Sequence, residues 1–364
     1  MKRIPARWVV YLLADAADQP IQLLCVKNLR YSLKRRLGGD ESIGPSRRVN
    51  YRQMVRRIRW RVVDSGFEAD AVYYEAAREI FPKTYQGMVG FRLAWFVHIN
   101  PDAPFPRYVK TMDLTANAGI WLGPLEDKHA AARLIQEVED AFDLCRYYHI
   151  LVDAPNAKAC AYKEMGKCPA PCDGSISMDQ YRRMIEWSVR VLLDPEAFVR
   201  EQTRRMQEAA GELRFETAAK INAFIGQISR FGKGAFRHVR ELRNFCFVSL
   251  QRGSREGTAK VFLITPGGIE EIAGCMGAAI GAAEILRVHD ERSSFAKPAL
   301  DAIGAERIGI VAHHLFLAKQ TAGVFLPLDA LDDKTLDKAF RDLQKQKVKD
   351  VGDEEGLVKE LQAL

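Results

Sequence analysis

The apolar positions of this chain fall into short continuous runs and longer helical stripes. Trp8 to Leu13 is an apolar, β-branched run ending before Asp15, and Asp18-Gln19-Pro20 supplies a turn before a second such run, Ile21 to Val26. The pair predicts a β-hairpin. Leu29, Leu33 and Leu37 then recur at i, i+4 and i+8, so one face of a helix is apolar, and Gly38-Gly39 stops it. A second helix is predicted from about Arg48 to Ile58, a strand from Trp60 to Val63, and a third helix from Glu68 to Phe81, halted by Pro82. Phe91 to Asn100 and Arg107 to Met112 read as paired strands across a proline-rich break, and Glu126 to Leu144 reads as an amphipathic helix. Ser177 with Gln180 forms a capping box for a helix that ends at Asp194-Pro195. Two helices follow within Phe198 to Phe231. Strand-like runs Asn244–Gln251, Thr258–Thr265 and Ile269–Ile272, separated by glycines, predict a β-meander, and Asp329 to Leu364 reads as charged helix with a polar break at 349–355. The class is therefore α+β.

Composition narrows the partners. The 364 residues suffice for two or three domains, and 48% hydrophobic content is that of a globular chain. A net charge of +7 favours an anionic partner, nucleic acid being the commonest. No run approaches the roughly 18 apolar residues of a membrane span. The opening MKRIPARWVVYLLADAAD has too short an apolar run for a signal peptide. The thiols point to a reducing cytoplasm. Arg30, Lys34, Arg35, Arg47, Arg48, Arg52, Arg56, Arg57 and Arg59 face only Asp40 and Glu41, and arginines suit bidentate phosphate contact. A solvated helix face is the bland alternative. His313 and His314 are adjacent, and neighbours on a helix face apart, which argues against a ligand pair.

Candidate chemistry concentrates between Cys145 and Cys172. Four of the seven cysteines, Cys145, Cys160, Cys168 and Cys172, lie there in the order C-x14-C-x7-C-x3-C. Soft thiolates in this number suit an iron–sulfur cluster or a structural zinc. The spacing is not the paired form of a zinc ribbon. Pro169 and Pro171 keep helix out of the last loop. Buried free thiols and disulfides remain open readings.

This segment resembles the cysteine-rich linker of the UvrC family of bacterial nucleotide excision repair. Phe142-Asp143-Leu144-Cys145 matches the family's approach to its first cysteine, and Gly166-Lys167-Cys168-Pro169-Ala170-Pro171-Cys172 matches the turn carrying its last two. Asp173-Gly174-Ser175-Ile176-Ser177 to Tyr181 continues the likeness, and Trp121-Leu122-Gly123-Pro124-Leu125 keeps the Gly-Pro of another family motif. The resemblance implies a [4Fe–4S] cluster on the four cysteines, with zinc as the alternative.

The N-terminal order of elements resembles a GIY-YIG nuclease domain, which the family carries there, but the signature is decayed. Its first tyrosine falls on Tyr11 and its glycine on Val9; its second word falls on Gln22-Leu23-Leu24, anchored by Lys27-Asn28-Leu29-Arg30, and the lysine that follows becomes Cys25. The catalytic arginine falls on Ser32, the next tyrosine on Arg36, the metal-binding glutamate on Glu75 and the asparagine near Gln86. Phosphodiester hydrolysis needs a base, a cation and a metal. Without the arginine the resemblance implies a nuclease-deficient unit, with Tyr11 and Glu75 as remnants. The alternative is an active single-incision nuclease using Mg or Mn at Glu75.

Met206-Gln207-Glu208-Ala209-Ala210, with Leu213, Phe215-Glu216 and Ala218-Ala219, resembles the UVR hairpin, through which the family meets UvrB. Met206, Ala210, Leu213, Phe215, Ala218, Ile221, Ile225 and Ile228 are expected on its inner stripe, with Phe215-Glu216 at the connection; Met206, Leu213, Phe215 and Glu216 are the partner-binding candidates. The expected layout is a GIY-YIG-like α/β domain over 1–90, a helical cysteine-rich linker over 91–197, the UVR hairpin over 198–231 and a β-rich, then helical region over 236–364. Neither an RNase H-like nuclease nor a helix-hairpin-helix domain is visible. The implied role is repair by binding DNA, through Arg30, Lys34, Arg35, Arg48, Arg52 and Arg56, and a UvrB-like partner. A non-enzymatic interaction protein that has left repair is a further alternative.

Overall fold

The computed structural model describes residues 4–37, 51–115, 118–255, 257–276, 281–293, 300–317 and 323–345. At the N-terminus, β1 (Val9–Ala14) lies between β2 (Pro20–Val26) and β3 (Arg57–Val62), antiparallel to both. Asp15 Oδ1 accepts the backbone N–H groups of Ala17 and Gln19, each at 2.8 Å, and so closes the hairpin turn. Helix α1 (Leu29–Leu37) covers one face of this sheet, packing Leu29 and Leu33 on Val9, Tyr11 and Leu13. A one-turn helix, α2 (Tyr51–Met54), precedes β3. Helix α3 (Gly66–Ile80), capped by the Ser65 hydroxyl, covers the other face through Ala69 and Ala77, against Val10, Leu23 and Val63.

The helix expected over 48–58 is corrected here. Residues 38–50 lie outside the described part of the chain, α2 ends at Met54, and the strand expected from Trp60 already begins at Arg57. The arginines at 57, 59 and 61 alternate with Ile58, Trp60 and Val62, a period of two that belongs to a strand.

The middle sheet contains β4 (Trp95–Ile99), β5 (Val109–Thr111) and β6 (Ile120–Leu125). The helices that follow are α4 (Lys128–Ala141), α5 (Tyr148–Leu151), α6 (Ala161–Glu164), α7 (Met178–Leu193), α8 (Pro195–Gly211) and α9 (Phe215–Ile228). The Ser177–Gln180 capping box is present at the start of α7. Leu134 and Val138 of α4, Tyr181 and Ile185 of α7 and Ile228 of α9 share one core with Val97, Ile99 and Leu122. A short strand, β7 (Arg240–Glu241), completes the sheet in the order β5-β4-β6-β7, so the chain returns to the middle region after the helical hairpin.

The C-terminal meander is β8 (Phe247–Arg252), β9 (Ala259–Thr265) and β10 (Gly268–Met276), followed by α10 (Ala282–Ser293) and α11 (Ala302–Phe316). A fourth strand, β11 (Gly323–Pro327), adds beside β8, giving the order β10-β9-β8-β11. Helix α12 (Asp333–Lys345) packs Leu336, Ala339 and Leu343 beneath it, and the expected helix beyond 345 lies outside the described residues.

These regions are fused. Phe67 and Tyr74 of α3 share a core with Phe96 and Trp121 of the middle sheet and with Phe245, Phe262, Ile308 and Val311. Phe67 meets Phe262 and Phe325 edge-on, at centroid distances of 5.5 and 5.2 Å. Beside it, Lys260 Nζ of β9 lies 2.6 Å from the buried Glu68 and 3.0 Å from Asp64. Among the described residues, no helix is long and apolar enough to cross a membrane.

Candidate functional site

The four cysteines are delivered by helix ends and left-handed turns. Asp127 caps α4, accepting the N–H of Ala130 at 2.7 Å, and the helix runs to Phe142. Asp143 then takes a φ of 52° and turns the chain into the core at Leu144 and Cys145. The backbone N–H of Cys145 donates to the Tyr181 hydroxyl of α7 at 3.2 Å, and its sulfur lies 3.7 Å from the Tyr147 carbonyl. Cys160 sits at the N-terminal end of α6. Cys168 and Cys172 flank Ala170, held at φ 56°, and Cys172 lies in a single 3-10 turn at Pro171–Asp173. A non-glycine residue in that region is strained unless its surroundings hold it. Two bonds do so: Lys163 Nζ reaches Asp173 at 2.5 Å, and the N–H of Ala157 donates to the Cys172 carbonyl at 2.9 Å.

Cys145, Cys168 and Cys172 are buried, Cys160 is half-buried, and all four are free thiols. Cys145 and Cys168 form a pair. Cys145 hydrogen-bonds to Cys168, which pushes its own thiol up and brings the Cys168 thiol down to about 7. Cys172 is pushed up by burial, then by the nearby Cys168 and Asp173. Arg146 supplies positive charge to Cys168 and is itself fixed, stacking 4.4 Å over Tyr162 and donating to the Lys167 carbonyl at 2.9 Å. A tetrahedral zinc would need sulfurs about 3.8 Å apart. Among the described residues, no three of these sulfurs lie within 4.8 Å of one another.

The residues expected as remnants of a nuclease signature fall into two sets, one between β1, β2 and α1 and one between α3 and α11. On the α1 face, the buried Tyr11 hydroxyl bonds the Ser32 Oγ at 2.9 Å, and Arg36 Nη1 donates to Gln22 Oε1 at 3.2 Å. Burial pushes the Tyr11 phenol up. On the α3 side, Glu75 accepts from Arg78 at 2.8 Å and from Arg307 of α11 at 2.8 Å. Burial raises the Glu75 carboxyl, but the bonds from Arg307 and Arg78 together hold it below the usual carboxylate range. Gln86 donates to Glu306 of α11 at 3.3 Å, and Tyr74 and Tyr85 bond the same carboxylate at 2.6 and 3.0 Å. Glu306 and Arg307 were not singled out by the sequence, and the GERI-like setting of α11, Gly304-Ala305-Glu306-Arg307-Ile308, carries no local signal for this role.

Of the basic candidates, Lys34, Arg35, Arg52 and Arg56 are exposed, while Arg30 is half-buried and spends its guanidinium on the Ile4 carbonyl, at 2.9 and 3.2 Å. Arg48 lies outside the described residues. Arg57 and Arg59 stand on β3 and pair with Asp18.

The helical hairpin turns at Glu212–Arg214, with Leu213 at φ 59°. Leu213 and Phe215 are not on the inner stripe: they are 73% and 64% exposed, because they project beyond the end of the facing helix. Met206 is half-buried, Glu216 is exposed, and Ala209 and Ile228 fill the buried positions. Near the base, Phe224 stacks on Trp187 at 5.6 Å and meets Phe142 at 5.9 Å, so the hairpin is anchored on the helices that carry the cysteine segment.

Residues 94–190 match the family model described as the UvrC/Cho excinuclease middle domain. Proteins named UvrABC system protein C are similar over a longer stretch. The one from Clostridium perfringens (strain SM101 / Type A) is 24% identical over 272 residues, covering 73% of this chain and 43% of that protein. Its counterpart in Gemmatimonas aurantiaca is 26% identical over 233 residues, covering 63% and 37%, and that of Trichlorobacter lovleyi is 24% identical over 221, covering 60% and 36%. The match thus spans less than half the length of these relatives. No solved structure matches the chain.

Proposed function

Because this chain is a UvrC-family protein, at low identity to its relatives, we propose that it serves nucleotide excision repair by binding: it engages DNA and a UvrB-like partner, and its GIY-YIG-like unit does not cut. One observation carries the loss of cutting. Every described remnant of the signature already has a partner: Tyr11 with Ser32, Gln22 with Arg36, Glu75 with Arg78 and Arg307, and Gln86 with Glu306. A metal at Glu75 would have to displace two arginines, and the cation nearest the Tyr11–Ser32 pair, Arg36, is tied to Gln22. The tyrosine is buried against α1, whereas the carboxylate belongs to α3 and is tied to α11.

The four thiols offer the soft donor set of a [4Fe–4S] cluster, the group the family resemblance favours, with one zinc ion as the alternative. Cys145, Cys160, Cys168 and Cys172 would hold it. When bound, it supplies a covalent staple and an electron-accepting centre; the chain's own part is the Arg146 charge, the Tyr181 hydroxyl and the left-handed turn at Ala170.

Partner binding falls to the tip of the hairpin. Leu213 and Phe215 present apolar surface that the chain itself leaves uncovered, beside the exposed Glu216. DNA contact falls to Lys34, Arg35, Arg52 and Arg56, as a salt-sensitive, sequence-tolerant surface. The test is one mixture: the protein, a UvrB-like partner and a damaged duplex in Mn2+. The expected outcome is a retained complex with no new nick, and a complex weakened at least about tenfold by Phe215→Ala, a loss of ~1.4 kcal/mol. A nick that disappears in Glu75→Ala would restore the active single-incision reading, and indifference to Phe215→Ala would remove the hairpin from partner binding.

A further inference from the structure

We propose that Asp70, His313 and His314 form a binding site for a divalent transition-metal ion at the seam between α3 and α11. The two histidines are neighbours in sequence, which predicts side chains that face apart. In the fold their rings are 5.2 Å apart and nearly perpendicular, and one ligating atom from each lies with an Asp70 oxygen inside a mutual distance of 4.8 Å. Asp70 comes from the N-terminal unit, 244 residues away in sequence from His314.

The donor set is the reason for choosing this ion class. Two imidazoles and one carboxylate suit zinc, nickel, cobalt and ferrous iron, and three protein ligands leave coordination positions for water. His314 Nε2 meets Asp70 Oδ2 at 2.8 Å, so two of the three ligands are already brought together, and the His314 ring stands edge-on to Phe67 at 5.4 Å. His313 is exposed and also lines a cavity of about 360 Å³ with Arg92, Glu126, Ala312 and Phe316, which offers an ion a path in. A metal here would clip two units whose ligands are far apart in sequence, and closing so long a loop is where a cross-link removes most chain entropy.

The test is nickel uptake by the full chain, by equilibrium dialysis, with melting followed in parallel. The expected result is a nickel equivalent that persists in Cys168→Ser, so that it is not held by the cysteine segment. That equivalent is lost, or weakened at least about tenfold, in His313→Ala and in Asp70→Asn. Nickel should raise the Tm of the wild type and leave that of His313→Ala unchanged. His313→Ala alters an exposed side chain, and Asp70→Asn is nearly isosteric, so the metal-free Tm of each shows that the fold is retained. Wild-type protein that takes up no nickel outside its thiols, or a His313→Ala variant that binds as tightly as the wild type, would overturn the proposal and leave the His314–Asp70 contact as a simple hydrogen-bonded pair.

Discussion

His238 shows how burial and neighbouring charge set a pH response. Its ring lies 5.3 Å from Phe316, between the charges of Arg237 and Arg240, and its Nε2 is buried with no hydrogen-bond partner. Burial first, and the two arginines second, push its pKa from the usual 6.5 down to about 4. The unfolded chain therefore takes up this proton near pH 6.5, while the native chain resists until about 4. The stability His238 contributes is whole above pH 6.5 and is lost progressively as pH falls to 4, reaching about 3 kcal/mol at the acid end. Urea unfolding at pH 7 and at pH 4.5 should differ by much of that amount, and His238→Gln should flatten the difference. Ser32 is the other instructive residue. Its hydroxyl is short enough to bond Tyr11 inside the core, where a long cationic side chain would have had to reach out.

Elements differ in how much of them is written locally. The first hairpin, α1, α3, the capping box of α7 and the three-stranded meander follow from apolar period and turn residues, and each forms where those signals lie. The stretch before β3 misleads because arginines populate helices and strands alike, and only the alternation of Ile58, Trp60 and Val62 decides it. In the hairpin the apolar stripe is real, but an end residue has no facing helix to pack on, so Leu213 and Phe215 point outward. The gathering of the cysteine segment was legible in its spacing; its architecture was not, because it rests on left-handed turns at Asp143, Ala170 and Gly174 and on Arg146, which no period encodes. For this element, anaerobically purified protein should show a broad visible absorption with about four irons per chain, lost in Cys168→Ser. A single zinc would keep the structural role and remove the cluster.

At the scale of the whole molecule, contacts between α3 and the C-terminal region were invisible to sequence patterns because each partner lies about two hundred residues from the other. Lys260 shows their weight. It brings a nearly buried ammonium to Glu68 and Asp64, whose side chains are 2% and 7% exposed. Burial lowers the lysine pKa, but the bonds from Glu68 and Asp64 outweigh it, and the ammonium is held charged. Lys260→Met should cost about 3–5 kcal/mol, because it leaves a buried carboxylate without its cation. Arg61→Ala, which loosens an exposed pair to Glu271 at 3.9 Å, should cost less than about 1 kcal/mol. Equal losses in the two variants, read from chemical denaturation, would show that the seam is solvated.

The shared core also sets a schedule for synthesis. Phe67 and Tyr74 leave the ribosome long before the residues that cover them; the Glu306 that receives the Tyr74 hydroxyl is 232 residues downstream. At bacterial-type elongation rates of roughly 5–20 residues per second, the nascent chain carries an aromatic face in water for on the order of tens of seconds. The N-terminal unit thus completes its own aromatic core only after the C-terminal region has arrived.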